Sequence, residues 1–93
     1  MLRAASSDGT SVVIHELAGS APHPIVLIAH ATGFHGHAYL PVAKHLAPRC
    51  HCYALDFRGH GDTARPPGWV VNWDGYGDDA RAAAETVAAL PGG

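Results

Sequence analysis

The feature that most constrains this sequence is the run Ile25-Val26-Leu27-Ile28-Ala29, followed at once by His30-Ala31-Thr32-Gly33-Phe34-His35. Four consecutive large aliphatic residues, closed off by Pro22 and Pro24 before and Gly33 after, are too few for an ordinary helix and match a strand buried on both faces. The segment that follows is small, polar and flexible. In open α/β sheets, ligands collect at this kind of exit, because the carboxyl ends of parallel strands border a crevice. The rest of the sequence is therefore read as the surroundings of one central strand and its C-terminal loop.

With 93 residues the chain is one domain at most, and a chain of that size buries only about 60–65% of the surface it exposes when unfolded. Its hydrophobic share of 47% includes much alanine, whose burial contributes far less than that of leucine at roughly 25 cal/mol per Å². The net charge of −2 comes from six basic and eight acidic residues. These are mixed along the chain without a basic stripe, so neither nucleic acid nor an anionic membrane is an expected partner. No run approaches the roughly 18 apolar residues of a membrane helix, and no apolar stretch of signal-peptide type follows Arg3. Cys50 and Cys52 fall on one face of a predicted strand, poorly placed to bridge each other. Free thiols and a cytoplasmic location are the expectation.

Taken in order, Leu2 to Ser6 and Ser11 to Leu17 form a predicted hairpin around Ser7-Asp8-Gly9-Thr10, because glycine accepts the positive φ of a tight turn. Residues Ala18 to Pro24 are a turn-rich loop, since proline cannot donate to a sheet ladder. After the central strand, Tyr39, Leu40, Val42, Ala43, Leu46 and Ala47 recur at helical spacing. Pro41 suits the first turn of that helix and Pro48 its end. Cys50 to Phe57 resumes strand character, with Cys52 and Ala54 on one face and Tyr53, Leu55 and Phe57 on the other. A loop and an aromatic patch (Trp69, Trp73, Tyr76) lead to a last helix predicted to start near Asp78 and to stop at Pro91-Gly92-Gly93. Strand, helix, strand, helix at this spacing is a right-handed βαβ unit.

Two motifs now stand at fixed separation: Val26-Leu27-Ile28-Ala29-His30-Ala31-Thr32-Gly33, and Leu55-Asp56-Phe57-Arg58-Gly59-His60-Gly61-Asp62-Thr63, with Tyr39 between them. Together they resemble the opening third of an α/β-hydrolase. In that family a strand ends in His-Gly-x-Gly or His-Gly-x-Pro, and the next strand ends in Asp-x-x-Gly-x-Gly-x-Ser. Here Ala31 replaces the first glycine and Thr63 the serine. The fold this implies is α/β: a β-hairpin followed by strand-helix-strand-helix in a mostly parallel sheet, with residues 1–93 a single partial domain at the N-terminal end of a longer chain.

The resemblance also implies roles for particular residues. Thr32 would lend its backbone N–H to an oxyanion hole, where acyl transfer places negative charge on a carbonyl oxygen. Phe34 and His35 are candidate substrate contacts, with His37 close by. His30 would be a structural histidine tying the loop to its neighbours. Gly33 would shape the loop, and Asp56, Arg58, Gly59 and Gly61 would hold the turn after the second strand. The implied reaction is hydrolysis of an ester, amide or related bond in a small-molecule substrate, with no cofactor and no metal.

The nucleophile elbow Gly-x-Ser-x-Gly is not among these residues. Ser6, Ser7, Ser11 and Ser20 are the only serines, all precede the central strand, and none is framed by glycines. Cys50 and Cys52 lie within a strand rather than on a sharp turn, so neither substitutes. Residues 1–93 are therefore expected to be inactive alone, with the aliphatic strand left as an open edge where the nucleophile strand would pair. The alternative reading is a non-catalytic α/β-hydrolase-like binding or interaction module. Gly59-His60-Gly61-Asp62-Thr63-Ala64 also spells a dinucleotide-binding turn, but Arg65-Pro66-Pro67-Gly68 keeps it from opening into a helix. The eight histidines include no four-ligand set at zinc spacing. Trp69, Trp73 and Tyr76 offer either the lining of a substrate mouth or a cover for the apolar edge of a helix, and the second is the expected role.

Overall fold

The computed structural model describes residues 1–90; the predicted helix stop at Pro91-Gly92-Gly93 lies outside the described residues. The elements are β1 (Leu2–Ala5), β2 (Ser11–Ala18), β3 (Ile25–Ala29), a 3-10 turn (Gly36–Tyr39) leading into α1 (Leu40–Leu46), β4 (His51–Asp56) and α2 (Trp73–Ala88). The four strands form one mixed sheet in the order β1-β2-β4-β3. The hairpin closes at Gly9, whose φ is +86°, and pairs Leu2 with Ile14 and Ala5 with Ser11. β2 then runs antiparallel to β4, from Val13 opposite Asp56 to Ala18 opposite Cys52. Of the three strand pairs among the described residues only β3 and β4 are parallel, pairing from Ile25–His51 to Ala29–Leu55, so the sheet here is mixed where a mostly parallel one is expected.

Alternation along the strands splits the core in two. Ala4, Val12, Ile14, Tyr53 and Leu55 face α2 and meet Ala83 and Val87. Val13, His15, Cys52 and Ala54 take the other face, where the Cys52 thiol lies against the Ala43 carbonyl of α1. Helices thus cover both faces of the sheet, and burial pushes the Cys52 thiol up from its ordinary pKa.

Two expectations need correction. Ile25 to Ile28 are half-buried rather than buried on both faces, because among the described residues β3 is an edge strand with only β4 beside it. The fully buried strand is β4, every residue of which is shielded. The last helix also begins at Trp73 instead of near Asp78. Its N-cap is Asn72, whose Oδ1 accepts the Gly75 N–H at 2.7 Å. Gly75 and Gly77 weaken the helical signal there, yet Gly75 is needed, since a Cβ on it would stand 2.7 Å from the Trp69 ring. Asp78 lies within the helix and accepts a hydrogen bond from the Ser7 hydroxyl at 2.8 Å.

α2 is held to the sheet by a buried ion cluster. Arg58, directly after the β4 exit, is 1% exposed, and Asp79 of α2 is 0% exposed. The guanidinium donates to Asp79 Oδ1 at 2.7 Å and the Arg58 backbone N–H to Asp79 Oδ2 at 2.9 Å. Its remaining donors reach Asp8 at 2.7 Å and the Ser6 hydroxyl at 3.3 Å. The indole of Trp69 lies 5.0 Å from the guanidinium carbon, within cation–π range. Removing one member leaves a buried charge without its partner, which typically costs about 3–5 kcal/mol. Asp79→Ala is therefore expected to lower unfolding stability by about that amount in urea titration, whereas Arg81→Ala, which breaks only the exposed pair with Glu85, changes it by about 0.5 kcal/mol or less.

Candidate functional site

Where β3 and β4 end side by side, their two exit loops are joined by a pair of histidines. His30, 5% exposed at the end of β3, lies with Nδ1 2.8 Å from the Ala31 carbonyl. A carbonyl can only accept, so Nδ1 carries the proton, and Nε2 accepts the Phe57 N–H at 3.0 Å. His60, in the turn after β4, mirrors this. Its Nδ1 lies 3.0 Å from the Arg58 carbonyl and its Nε2 accepts the Gly33 N–H at 2.9 Å. The two rings are 4.9 Å apart. Each loop thus presents a histidine to a backbone amide of the other.

These bonds fix the loop Ala31–Gly33. The Ala31 carbonyl receives both the His30 Nδ1–H and the Phe34 N–H, the latter at 2.9 Å. The Ala31 N–H lies 3.4 Å from the Tyr39 hydroxyl, and the Gly33 N–H is taken by His60. Among the described residues, the Thr32 N–H alone in this loop has no hydrogen-bond acceptor. It belongs to the same planar trans peptide as the Ala31 carbonyl and points the opposite way. Gly33, at φ +91°, occupies the backbone region that side-chain-bearing residues rarely adopt.

Thr32 borders an open cavity of about 500 Å³, lined also by Ala29, His30, Phe57, His60, Trp73 and Tyr76. A smaller cavity of about 280 Å³ is bounded by Thr32 together with Val71, Asn72, Trp73 and Tyr76. Both walls are largely apolar. Trp73 departs from the edge-covering role expected of it: it is 82% exposed and, as the first residue of α2 after the Asn72 cap, borders both cavities. Trp69 and Tyr76 do pack, with ring centroids 5.4 Å apart. Phe34, 55% exposed, stands against Tyr39 at 6.4 Å between ring centroids. Neither Phe34 nor His35 lines the two cavities.

Beneath the loops, Asp56 organises the opposite face. Its Oδ1 accepts the Gly36 N–H at 2.6 Å; its Oδ2 accepts the Asp62 N–H at 3.0 Å and contacts His15 Nε2 at 2.7 Å. Burial alone would raise its carboxyl pKa, but the Asp62 and Gly36 amides and His15 outweigh burial and hold it below the ordinary value. At Gly61 (φ +50°) any Cβ would fall on this carboxylate, and the Gly59 N–H closes the turn onto the Thr63 carbonyl at 3.1 Å. His15, Asp56 and Asp62 are also the one group among the described residues whose ligand atoms could converge on a cation. Both Asp56 oxygens are already engaged by amides. The dinucleotide reading of Gly59 to Ala64 has no helix to support it, since α2 begins only at Trp73.

A mixed sheet with helices on both faces, a hairpin at its start and a loop bordering a cavity at the end of β3 matches the N-terminal part of an α/β-hydrolase fold. Comparison with known proteins agrees. An alpha/beta hydrolase from Sphaerobacter thermophilus DSM 20745 superposes with a TM-score of 0.70 at 27% identity, over 91% of this chain and 31% of that one. E-2-(acetamidomethylene)succinate hydrolase gives a TM-score of 0.76 at 25% identity, over 95% and 31%. A hydrolase from Pseudomonas aeruginosa PA01 gives 0.80 at 24% identity, over 94% and 32%, which shows the fold. The family model described as serine aminopeptidase, S33, matches residues 20–92, and the chain belongs to that family. It spans less than a third of the length of these three solved hydrolases. A search of curated proteins finds no match.

His30 supplies a pH test. Burial, the largest cause, holds its pKa below the ordinary 6.5. The unfolded chain then binds the extra proton first, so the contribution of His30 is complete above about pH 6.5 and is lost as pH falls toward the folded value. Urea midpoints are expected to decline from about pH 6.5 downward. His30→Phe should be less stable at pH 7 but show a shallower decline, and an unchanged slope would contradict the assignment.

Proposed function

We propose that this chain supplies the oxyanion-hole half of a hydrolase active site acting on an ester, amide or related bond. The serine nucleophile, the acid and the catalytic histidine would come from sequence outside residues 1–93. The observation that carries this reading is the Thr32 N–H: a donor without an acceptor, between amides that are all engaged, at the edge of a largely apolar cavity. Attack on a carbonyl carbon moves charge onto its oxygen. A fixed N–H about 3 Å from that oxygen stabilises the tetrahedral species and lowers the barrier by roughly 3 kcal/mol. Because the donor is held before substrate arrives, little reorganisation is needed when the charge develops.

The surrounding residues fit an uncharged small molecule. Phe57, Trp73, Tyr76 and Ala80 offer apolar surface for an acyl or leaving group, with few polar groups to orient it. His30 is unsuited to be the general base, since both ring nitrogens are engaged in backbone contacts. Its place is structural, as it is for Gly33, Asp56, Arg58, Gly59 and Gly61. Phe34 and His35 lie further along the same loop, where a large substrate would meet them.

Backbone chemistry makes the test specific. In the protein that carries this sequence, Thr32→Pro deletes the donor and is expected to lower kcat for a p-nitrophenyl ester by about 10²–10³-fold. Thr32→Ala keeps the N–H and should stay within a few-fold of the parent. Equal losses in two folded variants would contradict the oxyanion role.

A further inference from the structure

His60 makes a bond from one loop to the other that the motif alone does not explain. We propose that His60 is a positioning residue for the oxyanion loop: by accepting the Gly33 N–H it fixes the peptide that follows Thr32 and so keeps the Thr32 donor at the cavity. The proposal rests on the oxyanion reading of Thr32.

The anchor of His60 lies in the turn after β4. Asp56 holds this turn through the Asp62 amide at 3.0 Å, and the Thr63 hydroxyl donates to the Asp56 carbonyl at 2.7 Å. The Thr63 N–H closes onto the His60 carbonyl at 3.0 Å. The His60 backbone is therefore anchored from the buried side of the sheet. Its ring is set by the Arg58 carbonyl, which fixes the proton on Nδ1 and leaves Nε2 with a free lone pair. It sits 4.9 Å from the His30 ring and 6.1 Å from the Tyr76 ring. A rigid acceptor thus stands beside a loop whose residues Ala31, Thr32 and Gly33 are all exposed.

The two histidines hold different peptide planes. His30 binds the Ala31 carbonyl and so orients the peptide bearing the Thr32 N–H. His60 binds the Gly33 N–H, which belongs to the next peptide. Gly33 offers little conformational resistance of its own. Without His60, the second plane would be free to turn and Thr32 would lose its downstream anchor.

His60→Phe keeps an aromatic ring between His30 and Tyr76 but removes the acceptor, whereas His60→Gln keeps a side-chain acceptor. In the ¹⁵N-labelled protein that carries this sequence, the parent should show a scalar coupling between the Gly33 amide and His60 Nε2, with the ring in its Nδ1–H form. His60→Phe should speed Gly33 amide exchange and lower kcat by about 10²-fold, the cost typical of a small misplacement, while KM changes little. His60→Gln should recover most of kcat. An Nε2–H ring, an absent coupling, or unchanged kcat in folded His60→Phe would each overturn the proposal. Should His60→Phe not fold, the parent coupling and His60→Gln still decide it. If Thr32→Pro leaves turnover intact, the oxyanion reading fails instead, and the coupling and the Gly33 exchange still judge the hold of His60 on the loop.

Discussion

The buried pairing of Arg58 with Asp79 is the interaction on which the arrangement depends. Arg58 follows β4 so closely that its backbone N–H and its guanidinium bind the same carboxylate, while its other donors reach Ser6 and Asp8 in the hairpin turn. One side chain therefore joins three pieces of chain that are distant in sequence. Asp79 and Asp8 hold the guanidinium charged well above its ordinary pKa, and Arg58 with Thr10 holds the Asp8 carboxyl well below its own. An isolated charge at this depth would be strongly disfavoured, so the position of α2 is set by the need to complete the cluster. That position brings Trp73 and Tyr76 over the end of β3.

On the other face of the sheet, Asp56 does for the loops what Arg58 does for the helix. It receives amides from the start of the 3-10 turn and from the turn after β4, and it contacts His15. Both loops at the β3 and β4 exits are thereby anchored to one carboxylate. His30 and His60 then bind the loops to each other. The order runs from buried charge to backbone geometry: carboxylates fix turns, turns fix histidines, and histidines orient peptide planes. The outcome, among the described residues, is one N–H left free between two loop amides that are both engaged.

Much of this was legible in the residues. Asp8-Gly9 marked the hairpin, the aliphatic run marked β3, and the prolines bounded α1. The motif around His30 and Asp56 pointed to the family and, through it, to Thr32. What the sequence hid were relations across space. The partners of Arg58 lie 21 and 50 residues away, so no local pattern announces them. Ile25 to Ile28 look fully buried because aliphatic composition reports burial without reporting which neighbouring strand supplies it. Asn72 was hidden as a cap because Gly75 and Gly77 interrupt the periodicity behind it. His60 received no role of its own from the motif, and only the folded pairing of the loops shows what its ring accepts.

The oxyanion role proposed for the Thr32 N–H concerns where charge develops on the substrate. It is tested most directly by phosphonylating the nucleophile of the protein that carries this sequence and determining the structure of the adduct. The phosphonyl oxygen is expected about 3 Å from the Thr32 nitrogen, with the Gly33–His60 bond intact. A phosphonyl oxygen held by other amides, with the Thr32 N–H turned away, would contradict it.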